Sequence, residues 1–386
     1  MNLNQLIIRG AVITLLLVTL ANFCLNLAGY RIDFSAKDNS SDYAITISED
    51  SMTTGTLYFE LAHSRQESGN YMLKVDRATG DVLFTKEFSS FGMKFERHTD
   101  ELLSYYDYPI RVWRGQDNHR GYGGIRYHTG GVMRIMDNDY RVIDTIEDGI
   151  NVDSHDLVRL DNGWLYFAPD IRPLDRSQST ITCLLECGLI GQNLVLLSDD
   201  GNKQMIWSAL DYYDQRDFVM DDVFELDHNI LYDVIHANSV HVTPAGNYII
   251  SMRHPDEVMI IDPDGELVWR SRDYTIYSPF AHQHDAQLLS NGNLILFDNG
   301  NGVRNYSRAV EYAIDHEQQT LTSVWEYATP DQHFAPNRGS VQRLDNGNTL
   351  INFVDGGIVE VTPDGEIMLE ITMPEGYASY QARWFE

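Results

Sequence analysis

From Gly55 onward the chain alternates short β-rich runs with polar turns. Thr56-Leu57-Tyr58-Phe59-Glu60-Leu61, Tyr71-Met72-Leu73-Lys74-Val75 and Asp81-Val82-Leu83-Phe84 are typical. Runs of this length, parted by Asn-Gly, Asp-Gly and Thr-Gly turns, predict antiparallel hairpins. No long amphipathic helix is predicted in the body, and the stretch from Leu210 to Asp227 is the best candidate for a helical or irregular insertion. The turn glycines Gly163, Gly201, Gly246, Gly292 and Gly347 stand 38, 45, 46 and 55 residues apart. Units of about 40–50 residues holding four short strands are the scale of propeller blades. Further turns, Pro263-Asp264-Gly265-Glu266 and Pro363-Asp364-Gly365-Glu366, fall later in their units. The expected fold is therefore all-β: a six-bladed β-propeller, with seven as the alternative count and a β-sandwich array as the structural runner-up.

A different pattern opens the chain. From Ala11 to Ala28 it is almost wholly apolar, broken only by Thr14, Thr19, Asn22, Cys24 and Asn26, with Arg9 on the N-terminal side. This is near the lower limit for a membrane-spanning helix and long for a signal-peptide core. The basic flank predicts an N-in orientation with the remainder exported. No Ala-x-Ala cleavage site stands out, and Phe23 before Cys24 makes a poor lipoprotein box. Residues 1–29 are thus read as a signal anchor in preference to a removed signal peptide. Residues 30–54 are read as a linker or first strand, and 55–386 as the propeller. The expected location is periplasmic or otherwise extracytoplasmic, membrane-anchored by the N-terminal helix, or secreted if that helix is cleaved.

Charge narrows the partners. The chain carries 28 Lys and Arg against 57 Asp and Glu, a net charge of −29, which argues against nucleic acid and against anionic lipid surfaces. An anion must then be bound by a local cluster of donors, against the field of the whole molecule. Cys183 and Cys187 are close enough in sequence for a small-loop disulfide in an oxidising compartment. A helix across them would need distortion to close it. Two cysteines without a second pair do not complete a zinc site.

The candidate chemistry lies in histidines. His155, His236 and His284 stand at like positions, each followed within eight to eleven residues by its unit's turn glycine. The innermost strand of each propeller blade lines the central channel, so equivalent positions converge there. Arg253 ends the strand that returns from the turn after His236, and guanidinium suits oxyanions. Three imidazoles, the Asn238 amide and Arg253 make a site rich in donors and poor in carboxylates, suited to a tetrahedral oxyanion. His282 would share the face of His284 and competes for its role. Asp156 and Asp285 are candidate orienting groups for the imidazoles. Three histidines also fit zinc, but each lies in a separate unit and no His-Glu-x-x-His motif is present. No Gly-x-Ser-x-Gly elbow, P-loop or dinucleotide fingerprint occurs.

Several motifs together resemble the bacterial arylsulfate sulfotransferases. They are Asn-Ser after His236, Ser-x-Arg at Arg253, His-Asp with Asn-Gly-Asn and Phe-Asp-Asn-Gly from His284 to Gly300, Tyr306-Ser307-Arg308-Ala309-Val310-Glu311-Tyr312, Val324-Trp325-Glu326-Tyr327 and Gly339-Ser340-Val341-Gln342-Arg343-Leu344. The resemblance covers roughly residues 55 to 375 and is densest after 150. It implies a six-bladed propeller working in the periplasm. The implied reaction moves a sulfuryl group from a phenolic sulfate ester to a phenol, without a nucleotide donor, metal or diffusible cofactor. Carried over, His284 matches the transiently sulfated histidine, His236 and Arg253 the sulfuryl-oxygen binders, and His155 the fourth polar member. Asn238 and Arg308 join them as candidate substrate-binding residues. The expected partners are a phenolic sulfate donor, a phenol acceptor and the membrane, and a homo-oligomer is compatible with this reading. The rivals are a non-catalytic anchored binding module and a metal-dependent hydrolase using the same histidines.

Overall fold

Tyr248–Met252, Glu257–Ile261, Leu294–Asp298 and Thr349–Asn352 are buried at every position. Strands read as continuous apolar runs when neighbours cover both of their faces. By contrast Thr320–Tyr327, at a blade's outer edge, has no buried residue. The computed structural model describes residues 30–33, 44–48, 54–63, 70–88, 91–108, 132–147, 152–175, 187–214, 222–226, 229–274 and 277–385. Among these the strands form six sheets arranged as a six-bladed β-propeller.

The chain runs through the blades in order. Blade one holds Thr56–His63, Asn70–Asp76 and Val82–Phe88, and blade two holds Phe91–Arg97, Leu103–Tyr108, Val132–Met136 and Val142–Ile146. Blade three is built from Leu157–Leu160, Gly163–Pro173, Cys187–Ser198 and Lys203–Ser208. Blade four comprises Ala237–Val242, Tyr248–Met252, Glu257–Ile261 and Leu267–Arg270. Blade five has His284–Leu288, Leu294–Asp298, Arg308–Asp315 and Thr320–Tyr327, and blade six Ser340–Arg343, Thr349–Asn352, Ile358–Val361 and Ile367–Thr372.

Both ends of the chain serve the ring. The C-terminal strand Ala382–Phe385 pairs antiparallel with Thr56–His63 and becomes the inner strand of blade one. Ala44–Ser48 pairs with Ile367–Thr372 at the outer edge of blade six, and Tyr30–Asp33 pairs with it in turn. The segment read as linker or first strand thus contributes two strands to the last blade. The apolar segment 1–29 lies outside the described residues, among which no helix is long and apolar enough to cross a membrane.

Alternation along each strand feeds two inter-blade cores. Leu294 and Leu296 of blade five pack with Ile249, Ile260 and Trp269 of blade four. The intervening Ile295 and Phe297 pack with Val341, Ile351 and Val359 of blade six. Side chains one apart point to opposite faces of a strand, so one strand ties its blade to both neighbours. Each fully buried side chain of this kind contributes roughly 1.5–3 kcal/mol.

A set of side chains also pins each inner strand to the next. Asp156 accepts the Val240 N–H at 2.9 Å, Ser239 the Ala286 N–H at 3.3 Å, Asp285 the Val341 N–H at 2.7 Å and Ser340 the Ala382 N–H at 3.0 Å. The donor always stands one residue past the acceptor position of its own blade. These bonds define the register between blades.

That register corrects the expected repeat. Gly246, Gly292 and Gly347 lie in first hairpin turns, at φ of 83°, 84° and 90°. Gly201 instead lies in the last hairpin of blade three, between Cys187–Ser198 and Lys203–Ser208, where Gly265 and Gly365 stand in blades four and six. Blade three is stretched by strands of 11 and 12 residues. It also carries an added hairpin, Asp222–Leu226 with Asn229–Asp233, whose second strand pairs parallel with Cys187–Ser198. The insertion expected from Leu210 to Asp227 contains the four-residue helix Ala209–Tyr212 and the first strand of this hairpin. Cys187 opens a strand rather than sitting in a helix and is disulfide-bonded. Cys24 and Cys183, the other cysteines, lie outside the described residues.

Candidate functional site

Aligned by the pinning bonds, His155, Asn238, His284, Gly339 and Tyr380 occupy one position in five successive blades, each just before the pinning residue or its equivalent. His236 stands two residues earlier in its blade and is equivalent to His282. Both take left-handed backbone, at φ of 54° and 53°. The expected three-histidine register is therefore corrected to a pair, His155 and His284, with His236 one step behind. Convergence survives the correction, because the rings themselves meet. The His155 and His236 rings are 4.8 Å apart and those of His236 and His254 4.9 Å, while Tyr380 lies 6.3 Å from His155 and 6.4 Å from His284.

Gly339 is at this position for a steric reason. Its φ is 97°, and a Cβ there would enter the Phe297 ring. Gly339→Ala is expected to cost about 1–3 kcal/mol through overpacking, read as a lower urea midpoint at unchanged m value.

The histidines are oriented by upstream groups. The Nδ1 atom of His155 bonds Asp153 at 2.5 Å, and that of His236 bonds Asp233 at 2.7 Å. The other oxygen of Asp233 is 3.8 Å from Nδ1 of His254. Asp156 and Asp285, the expected orienting groups, bond partners on other blades instead. Asp156 takes Lys94 Nζ at 2.9 Å, and Asp285 takes His241 at 2.7 Å and Arg383 at 2.8 and 2.7 Å. Burial alone would raise Asp285, but Arg383 and His241 hold it far below the usual carboxylate range.

His284 has no carboxylate. Its Nδ1 lies 2.8 Å from the Asn299 amide oxygen and 3.1 Å from the His282 carbonyl, and its Nε2 accepts the Arg338 N–H at 3.1 Å. Burial holds its pKa well below the ordinary imidazole value. Arg253 and His155 push the same way, against the pull of Asn299 and the His282 carbonyl. These effects favour the neutral ring, which has the Arg253 guanidinium in its field.

Further cations and a tyrosine complete the centre. Lys94 Nζ stands 5.0 Å and the Arg338 guanidinium carbon 6.0 Å from the Tyr380 ring. Burial pushes the Tyr380 hydroxyl well above its usual pKa, and it has no hydrogen-bond partner among the described residues. Glu60 accepts the Tyr380, Gln381 and Phe95 N–H groups, and burial pushes its carboxyl up to about 6.

Two candidates have other settings. Asn238 gives an amide hydrogen to the Gln283 carbonyl at 2.7 Å, bracing the segment between His282 and His284. Arg308 is engaged within blade five by Asp298 at 3.1 Å, by the Tyr312 hydroxyl at 3.0 Å and by Glu326. The structure ties it to that ion-pair cluster and not to the histidines. Sequence reasoning missed Lys94, His254, Asn299 and Tyr380, and gave no role to Asp153 and Asp233. Asp-x-His and Asp-x-x-His were legible signals for the last two.

Fold and site together define an all-β propeller whose centre gathers imidazoles, guanidinium and ammonium groups. Residues 198–373 match the arylsulfotransferase (ASST) family model. Arylsulfate sulfotransferase AssT of Escherichia coli O6:H1 strain CFT073 is 33% identical over 95 residues, which are 22% of this chain and 16% of that protein. The match thus spans a small part of that relative's length. The resemblance to arylsulfate sulfotransferases carried by the motifs is shown by these two findings. A protein of unknown function from Bacteroides caccae is 10% identical at a TM-score of 0.49, covering 86% of this chain and 100% of its own. A Lactobacillus plantarum protein is 11% identical at 0.43, covering 83% of each.

Proposed function

We propose that this chain is an extracytoplasmic arylsulfate sulfotransferase that moves a sulfuryl group between phenols by a ping-pong mechanism through His284. The observation carrying this reading is the buried His284 imidazole, its pKa held down by burial and by the field of Arg253, with carboxylate-backed His155 and His236 in the same centre. In the first half-reaction an imidazole nitrogen attacks sulfur and the S–O bond to the donor phenol breaks, leaving a sulfohistidine. Charge on the transferring group spreads over its three oxygens, much as in phosphoryl transfer. Arg253 is suited to stabilise them, with Lys94 and Arg338 adding positive field. The departing phenolate takes a proton from His155 or His236, and the acceptor phenol returns it as its oxygen attacks sulfur and the N–S bond breaks. The apolar segment 1–29 supports the extracytoplasmic placement.

Transfer from 4-nitrophenyl sulfate to phenol tests the proposal. Nitrophenol release should rise with phenol concentration, and sulfated phenol should form in equal amount. Release without phenol dependence, or none from folded protein, would contradict it. Asp233→Asn removes the charge that orients His236 and is expected to lower kcat about 10²–10⁴-fold, with folding preserved by circular dichroism. The metal-dependent rival has one observation in its favour: ligand atoms of Asp233, His236 and His254 lie within 4.8 Å of one another. Turnover unchanged after EDTA and dialysis favours the transferase, whereas loss restored by zinc favours the hydrolase.

A further inference from the structure

We infer that Asn299 is a positioning residue that locks His284 as the Nδ1–H tautomer and so makes Nε2 the attacking nitrogen. The catalytic half of this inference rests on the sulfuryl-transfer reading; the tautomer does not.

Three hydrogen-bond relations agree. The Asn299 amide nitrogen sits 2.8 Å from the Ala335 carbonyl and 3.0 Å from the Arg338 carbonyl. Carbonyls only accept, so both amide hydrogens point to them and the amide oxygen must face His284. That oxygen, at 2.8 Å, and the His282 carbonyl, at 3.1 Å, are both acceptors on Nδ1, so Nδ1 carries the proton. On the other side of the ring the Arg338 N–H can only donate, and it meets Nε2 at 3.1 Å. Nε2 therefore holds the lone pair, and the Arg338 N–H must give way when sulfur arrives.

The choice of an amide has a chemical reason. His155 and His236 have carboxylates on Nδ1, at Asp153 and Asp233. A carboxylate there stabilises the imidazolium, which suits a proton donor and lowers the fraction of neutral ring that a nucleophile needs. Asn299 fixes the tautomer without adding charge, and it is wholly buried, so no solvent competes for Nδ1. The groups facing His284 from other blades are Arg253 of blade four, His155 of blade three, Arg338 of blade six and Tyr380 beside the inner strand of blade one. The fixed charge of Arg253 disfavours a charged ring.

The test is ¹⁵N-histidine NMR of the full chain, with the His284 signals assigned by their loss in His284→Gln. Wild type should show a neutral Nδ1–H ring at pH 7. An Nε2–H ring or an imidazolium overturns the inference, whether or not the chain transfers sulfuryl groups. Asn299→Asp, which keeps the shape, should raise the imidazole pKa and move the acid limb of kcat/KM up by about 1–3 pH units. Asn299→Leu leaves the His282 carbonyl and the Arg338 N–H favouring the same tautomer but removes the amide that holds the ring in place, and should lower kcat about 10–100-fold with KM little changed. An acid limb unmoved in a folded Asp variant, or an unchanged kcat in a folded Leu variant, also overturns it. If no transfer is found but the ring is Nδ1–H, the functional reading fails and the tautomer assignment stands.

Discussion

His284→Ala is expected to reduce sulfuryl transfer from 4-nitrophenyl sulfate by about 10⁴–10⁶-fold, as loss of a covalent nucleophile does in enzymes whose groups act as a unit. The loss should fall on kcat, because Arg253 and the other cations that attract the sulfate ester remain. A structural effect is separable from the chemical one. The variant leaves the Asn299 oxygen and the Arg338 N–H without their ring partner, which costs about 1–3 kcal/mol. Assays run well below the melting transition, with circular dichroism to confirm folding, isolate the chemical loss. Residual turnover within tenfold of wild type would place the nucleophile elsewhere in the centre.

Asp285→Ala is expected to destabilise the chain by about 3–5 kcal/mol, the cost of breaking a buried ion pair from one side. From blade five, Asp285 binds His241 of blade four, the Val341 N–H of blade six and the Arg383 fork of blade one, at 2.7 to 2.8 Å. Arg383 is 5% exposed, so removing Asp285 leaves a buried guanidinium charge with the weaker Glu96 contact, at 3.6 Å, to offset it where the ring closes. The pH dependence has a definite sign. The Asp285 pKa is depressed by folding, so its contribution is fully present above the unfolded carboxylate value near 4 and is lost as pH falls below it toward the folded value. Urea titrations at pH 7 and pH 3 check this. The stability gap between wild type and variant should narrow at the lower pH, and equal midpoints at pH 7 would contradict the role.

Much of the architecture was legible because turn chemistry repeats. Asn-Gly and Asp-Gly turns between apolar runs gave hairpins, and their spacing gave blades. Gly201 misled the spacing because last-hairpin and first-hairpin glycines look alike in sequence, both answering the same demand for positive φ. Blade three's extra hairpin hid the true interval. Ring closure by Ala382–Phe385 pairs residues more than 300 apart, and local pattern holds no information about such partners.

The site was legible where residue type carries chemistry, at the histidines and Arg253. It was misread where geometry decides. Asp156 and Asp285 adjoin histidines in sequence, yet their carboxylates bond groups on neighbouring blades. Asp153 and Asp233 reach Nδ1 because the chain bends as it enters the inner strand. Tyr380 belongs to a short irregular stretch and Lys94 to a register shift within the strand Phe91–Arg97, neither with a repeated motif, so only the assembled ring relates them to His284.

The central claim is that His284 becomes the sulfuryl carrier. The most direct measurement mixes the chain with 4-nitrophenyl sulfate and no acceptor, quenches under alkaline conditions and maps the peptides by mass spectrometry. The account predicts a burst of one nitrophenol per chain and an SO₃ increment on the peptide holding His284, discharged by adding phenol. No burst, or an increment on another residue, contradicts it.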